Sequence, residues 1–118
     1  VIVGTVDEHD VPSISLNIAG RLYRAIIDTG FNGDLELPES LRKHLRPEYL
    51  TQVTSYLAGG VTIQEDLYRV TLSFDGELTK PEVTFVVGRE ILIGTKMLRR
   101  HRLSINFVKR TVRLQRLV

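Results

Sequence analysis

The sequence contains no cysteine and no tryptophan, a single methionine and only three histidines, His9, His44 and His101. Without cysteine there is no disulfide, no thiol nucleophile and no thiolate metal site. The histidines are too scattered for a zinc motif, so neither a metal nor another cofactor is expected. No apolar run approaches the roughly 20 residues of a membrane-spanning helix, so no membrane partner is expected. The start, Val1-Ile2-Val3-Gly4, lacks the basic region and length of a signal peptide, and the cytoplasm is the expected compartment.

What remains is the composition of an ordinary folded domain: 118 residues, 42% hydrophobic and 25% charged. A chain of this size buries roughly two thirds of its unfolded surface, which suffices for one core. A single domain over 1–118 is expected, and a site built between two lobes has to recruit a second chain. Charge is uneven. Residues 89 to 118 carry nine Lys or Arg against one acid, Glu90, while the whole chain is only +2. Such a basic quarter is either a nucleic-acid footprint or a solvated helix face followed by outward strand positions. With Phe107 the one aromatic residue among the bases, there is no aromatic interleaving, the second reading stands and no nucleic acid is expected.

Short β-rich segments separated by turn residues recur along the chain, which predicts a mostly β fold, a barrel or sandwich with one or two short helices. Val11 to Ala19 alternates through Ile14, Leu16 and Ile18, and Gly20-Arg21 turns it into Leu22 to Ile27. Leu35 and Leu37 alternate with Asp34 and Glu36, which puts both acids toward solvent, and Pro38-Glu39-Ser40 opens a short helix, Leu41 to Leu45. Leu50 to Leu57 and Val61 to Phe74 form a hairpin around Ala58-Gly59-Gly60, the returning strand broken near Glu65-Asp66. Val83 to Val87 and Ile91-Leu92-Ile93 read as buried strands. Thr95 is expected to cap a helix through Lys96 to Arg102 that packs Met97 and Leu98 inward and leaves His101 solvated. A last hairpin joins Leu103 to Phe107 with Thr111 to Leu117. Tyr49, Tyr56 and Tyr68 are candidates for the border of a cleft.

One constellation needs a chemical explanation. In Ala25-Ile26-Ile27-Asp28-Thr29-Gly30 an apolar strand delivers a carboxylate into a tight turn where a buried strand ends. The plain alternative is a strand-end aspartate that caps the next backbone amides.

Asp28-Thr29-Gly30 after Ile26-Ile27, a glycine-tipped hairpin about thirty residues on, then Leu92-Ile93-Gly94 before a short helix resemble, in that order, the retropepsin-like aspartic proteases. The run Asp28-Thr29-Gly30-Phe31-Asn32-Gly33 with Leu35-Glu36-Leu37-Pro38 is similar in closer detail to a prokaryotic branch with Phe after the Asp-Thr-Gly. The resemblance implies a closed β-barrel of a single lobe and peptide-bond hydrolysis by a homodimer with one Asp28 from each subunit. It implies that Thr29 bonds across the twofold axis and that Gly30 lets the turn approach an extended peptide or protein substrate. Ala58, Gly59 and Gly60 would tip a flap, and Leu92, Ile93 and Gly94 would support the Asp28 loop. The chain ends, Val1 to Val3 and Val112 to Val118, would interleave between subunits. Family members often carry an acid two residues after the tripeptide, paired with an Arg after the apolar-apolar-Gly. Here those positions are Asn32 and Thr95, so that ion pair is absent. Phe31 is expected to line the cleft rather than tuck into the core. The alternative is a catalytically silent member of the same fold that binds peptides or proteins in its groove or at its dimer surface.

Overall fold

Leu, Ile and Val recur at every second position of several strands, and that period decides which face each of them buries. The computed structural model describes residues 1–118. Its strands are β1 (Ile2–Val6), β2 (Pro12–Ile18), β3 (Arg21–Ile27), β4 (Leu35–Pro38), β5 (Glu48–Tyr56) and β6 (Thr62–Arg69). They continue with β7 (Leu72–Phe74), β8 (Glu77–Thr79), β9 (Glu82–Val86), β10 (Ile91–Ile93), β11 (His101–Asn106) and β12 (Thr111–Arg116). A 3₁₀ helix spans Glu39–His44, and a single α-helical turn, α1, spans Thr95–Leu98. Ten strands form one sheet in the order β11-β12-β1-β2-β3-β10-β4-β9-β6-β5, and β7 pairs with β8 in a separate hairpin.

The core is one cluster of 18 buried apolar residues. Ile14, Leu16 and Ile18 of β2, Leu35 and Leu37 of β4, Ile91 and Ile93 of β10 and Val112 and Leu114 of β12 all turn inward. Each fully buried Leu or Ile contributes about 2 kcal/mol relative to exposure. The mostly β architecture with few short helices is the expected one.

Several boundaries differ from the sequence reading. The β2–β3 turn is Ala19-Gly20, both at positive φ, one residue before the expected place; the Asn17 side chain accepts the Gly20 amide at 3.0 Å and closes it. The β6 strand runs unbroken through Glu65-Asp66, and the break falls at Val70-Thr71, where the Val70 amide turns to Pro81 O and the chain leaves for β7. The helix after Gly94 stops at Leu98. His101 is taken into β11 by pairing with Arg116, so the expected helix through Arg102 is cut to one turn, and Thr95 is its first residue rather than its cap.

His101 is also not solvated. Its side chain is 6% exposed, its ring meets Phe74 edge-on, and Nε2 lies 3.2 Å from Asp75 Oδ2. Burial pushes the Asp75 carboxyl up, but the His101 hydrogen bond, helped by the Val1 ammonium and Arg116, outweighs it and holds the group below the ordinary 3.8. Its contribution to stability is therefore complete above that value and drains away as the pH falls through the depressed one. Asp75 sits at positive φ, a conformation Asn shares readily, so Asp75→Asn isolates the charge. The variant is expected to lose about 2 kcal/mol at pH 7 by chemical denaturation, and the difference from wild type should close at strongly acidic pH.

The chain ends also pair within the chain. β12 is paired on both sides, to β11 and to β1, and Val112 and Leu114 are fully buried within one chain. Thr111 to Leu114 thus have both edges filled within the chain, while Gln115 and Arg116 pair with β11 alone and Ile2 to Gly4 with β12 alone.

Candidate active site

β3 and β10 run parallel, with Ala25, Ile26 and Ile27 opposite Ile91, Leu92 and Ile93, and β4 flanks β10 on its other side. The segment between β3 and β4 must therefore leave the sheet at Asp28 and return at Leu35. It does so as a tight turn. The Asp28 amide donates to Ile93 O at 2.9 Å, the Phe31 amide to Asp28 O at 3.1 Å, and the Gly30 amide to Asp28 Oδ1 at 3.0 Å. That last bond is the local cap any strand-end aspartate can make. The anchoring around it goes further.

Four more bonds stitch this loop to the segment after β10. Gly94 N donates to Asp34 O at 2.9 Å, Thr95 N to Phe31 O at 2.8 Å and Lys96 N to Gly33 O at 3.2 Å, and Thr95 Oγ1 lies 3.4 Å from Phe31 O. The first amides of α1 are thus capped by carbonyls of the Asp28 loop instead of by a side chain. The contact is close enough to require glycine. A Cβ on Gly94 would sit 2.1 Å from Gly33 O, and one on Gly33 would meet the Phe31 ring at 2.6 Å. Leu92, Ile93 and Gly94 accordingly lie directly against the Asp28 loop. Asn32 and Thr95 also meet, with Thr95 Oγ1 at 3.4 Å from Asn32 Oδ1. A neutral hydrogen bond occupies the place of an ion pair.

Beside the loop lies an open cleft of about 540 Å³. Gly30, Phe31 and Asn32 form one wall and Ser55, Tyr56 and Leu57 of the β5–β6 hairpin another. Phe31 both covers Gly33 and Gly94 and faces this space, so it lines the cleft and packs inward at once. Asp28 and Thr29 are not part of the lining; they stand beyond Gly30, with Thr29 exposed. The hairpin tip, Ala58-Gly59-Gly60, is solvent-exposed, carries Gly59 and Gly60 at positive φ and is closed by a 2.7 Å bond from Leu57 N to Val61 O. Of the three tyrosines, Tyr56 borders the cleft. Tyr49 and Tyr68 stack edge-on elsewhere, and the Arg42 guanidinium lies 4.6 Å from the Tyr68 ring centre.

Asp34 and Glu36 do not face open solvent. Asp34 Oδ2 accepts the Glu82 amide at 2.9 Å, and Glu36 is half-buried in the cleft wall with Glu65. Alternation correctly keeps both out of the core, but the opposite face of β4 is the cleft. As residues of the cleft, Glu65, Ser55, Val53 and Leu67 escape the sequence reading. The register Val53↔Glu65 and Thr51↔Leu67 sets them on one face of the hairpin, and counting outward from the glycine tip would find them. Glu65 Oε1 accepts Ser55 Oγ at 2.6 Å.

Burial, then the charges of Glu65 and Asp28, push the Glu36 carboxyl above its ordinary 4.5. Stability from this group is complete below that value and is lost as the pH rises through the raised one. Glu36→Gln, which mimics the protonated form, should therefore be more stable than wild type at pH 7, by on the order of 1 kcal/mol or less given its partial exposure. Near pH 4 the two should melt together, and thermal unfolding at both pH values checks the sign.

Three of the nine bases of the basic quarter are held in ion pairs. Lys96 pairs with Glu82, Arg116 with Glu77 and Asp75, and Arg110 with Asp10 at 3.5 Å.

No protein-family model matches the sequence, and no curated protein matches it. Solved structures do. The chain is similar over 96% of its length to 88% of a retropepsin-like aspartic protease from Rickettsia conorii, with a TM-score of 0.69 at 16% identity. It is similar over 74% of its length to 91% of the simian foamy virus (mac) protease, with a TM-score of 0.56 at 22% identity. At such identities the likeness is one of backbone. The parallel β3–β10 pair, the Asp28 turn locked onto Gly94 and the two structural matches together establish that this chain has the retropepsin-like fold of aspartic proteases.

Proposed function

We propose that the chain is one half of an aspartic endopeptidase, active as a homodimer in which Asp28 of each subunit faces its copy across a twofold axis. The observation that carries this reading is the Asp28 turn itself. One carboxylate oxygen is fixed by the Gly30 amide and the backbone is bonded to Ile93, which leaves the second oxygen uncommitted two residues before Gly30, where the cleft lining begins. A lone carboxylate there is an ordinary weak base. Two of them about 3 Å apart cannot both ionise, so they share one proton and titrate as a pair.

The shared proton divides the work. The ionised carboxylate takes a proton from a water molecule as its oxygen attacks the peptide carbonyl carbon, and the protonated partner donates to the carbonyl oxygen. The tetrahedral intermediate then collapses, its nitrogen receives a proton from the dyad, and the C–N bond breaks to give an acid and an amine. In this reading Thr29, exposed beside Asp28, bonds across the axis and holds the two turns in register. Ala58, Gly59 and Gly60 close over an extended peptide, adding main-chain hydrogen bonds and excluding water.

A screen of unstructured protein substrates from pH 3 to 8 tests the reading. Cleavage with an acid-shifted optimum and inhibition by pepstatin-type compounds is the expected result, and cleavage insensitive to both pH and such inhibitors would remove it. The neutral Asn32–Thr95 contact favours a second reading, a silent peptide- or protein-binding dimer whose loops lack an ionic clamp. That form would bind an extended peptide at every pH and cleave it at none.

A further inference from the structure

We propose that the pocket between α1 and the β7–β8 hairpin binds a phosphate group, free or carried by a small ester. The site goes beyond the protease reading and does not involve Asp28.

The pocket is open, about 230 Å³ in volume, and Lys or Arg stands at five of its lining positions against the acids Asp34 and Glu77. Two of the five are engaged within the chain, Lys96 with Glu82 and Arg116 with Asp75 and Glu77. The other three, Lys80, Arg99 and Arg100, are exposed and in no ion pair. A basic patch on solvent calls for no ligand by itself. His101 sets this one apart. Its side chain is 6% exposed and lines the same pocket, with Nε2 at 3.2 Å from Asp75 Oδ2. The Asp75 carboxyl is held below its ordinary range, so its oxygen accepts and Nε2 carries the hydrogen. Nδ1 is left buried with no hydrogen-bond partner, and it is the one such side-chain atom in the molecule. Folded proteins seldom leave a buried polar atom unpaired, and a bound ion is one of the ordinary ways of satisfying it.

The chemistry of the lining selects the ion. Two guanidinium groups, an ammonium and an imidazole present more donors than the two oxygens of a carboxylate can use, whereas a phosphate offers three charged oxygens in the geometry guanidinium groups favour. Phosphate also titrates near neutrality, with a second pKa of about 6 in its esters. It therefore meets Nδ1 in either form. The monoanion donates its O–H to a neutral ring, or the dianion accepts from a ring protonated on both nitrogens. Acetate has no proton to give at pH 7. The volume lies below the roughly 300–1,000 Å³ of pockets that enclose drug-sized molecules, which suits a small ester rather than a stretch of polymer.

The test uses the whole chain and inorganic phosphate. In calorimetric titrations at pH 7 and constant ionic strength, phosphate should bind at least about tenfold more tightly than acetate. The double substitution Arg99→Gln/Arg100→Gln removes two exposed charges that have no ion-pair partner, so it should weaken phosphate binding at least about tenfold and leave the denaturation midpoint unchanged. The chain has only three histidines, and His9 and His44 are exposed elsewhere, so ring-nitrogen resonances read the contact at His101 directly. The His101 Nδ1 signal should move on saturation with phosphate while those of His9 and His44 stay in place. Phenyl phosphate in a parallel titration separates the two sources: tighter binding than inorganic phosphate assigns an ester, equal or weaker binding the free ion, and both support the site. Phosphate that binds no more tightly than acetate, affinity that survives the double substitution, or a His101 signal that does not move overturns the proposal. So does an oligonucleotide that binds where phosphate does not, since it would assign the bases to a polymer. None of these readouts involves hydrolysis, so the protease reading stands or falls apart from them.

Discussion

Replacing Asp28 by Asn is expected to lower peptide hydrolysis at least about a thousandfold while leaving the unfolding transition within about 0.5 kcal/mol of wild type. The two halves of the prediction have separate causes. The Asn carbonyl oxygen can still accept the Gly30 amide, which Asp28 Oδ1 accepts at 3.0 Å, and the bond from the Asp28 amide to Ile93 O involves only backbone, so the turn survives. What the amide cannot do is exchange a proton. A dyad of two asparagines neither activates water nor protonates a carbonyl oxygen. Steady-state cleavage of a peptide found in the pH screen, run beside urea denaturation of the same preparation, reads both quantities. Retained cleavage excludes Asp28 as the catalytic group. Lost cleavage with a collapsed transition would mean that the charge is structural.

Gly94→Ala is expected to destabilise the fold by about 3 kcal/mol, and Gly94→Val by more. The added carbon would lie 2.1 Å from Gly33 O and 2.7 Å from Phe31 O, and both are backbone atoms of the loop that holds Asp28. No rotamer relieves such a contact. Either the Asp28 loop lifts from β10, taking the Asp34, Phe31 and Gly33 acceptor bonds with it, or the chain unfolds more readily. Gly88→Ala is the control, because a Cβ added there would meet nothing within 4 Å and the variant should stay within about 0.5 kcal/mol of wild type. Denaturation midpoints of the two variants decide the matter. Equal stability would mean that the loop and the strand beneath it are not in the contact described.

What the sequence reveals of this molecule follows the range of the forces involved. The Asp28 turn and the glycine-tipped hairpin are legible because turn residues and alternation act over a few positions. That Leu92-Ile93-Gly94 supports the Asp28 loop is reached only through the resemblance, and the parallel pairing of Leu92-Ile93 with Ile26-Ile27 is not reached at all, since nothing local says that two apolar runs so far apart will pair. His101 shows the limit most plainly. Its neighbours Arg99, Arg100 and Arg102 look like the outer face of a helix, but pairing with Arg116 and the Asp75 carboxylate, contributed by a hairpin 26 residues earlier, pull it into a strand and bury it. Glu36 departs from expectation for another reason. Alternation separates core from not-core, and a cleft wall counts as not-core just as solvent does.

The central claim is that each active site takes one Asp28 from each of two chains, and mixing subunits measures this directly. Wild-type chain is equilibrated with increasing amounts of the Asp28→Asn variant at constant total concentration, and hydrolysis is followed. If the dyad spans the interface, mixed dimers are inert and activity falls as the square of the wild-type fraction, to about a quarter at an equal mixture. A linear decline, with about half the activity remaining at that point, would show that one chain hydrolyses alone and would contradict the shared site.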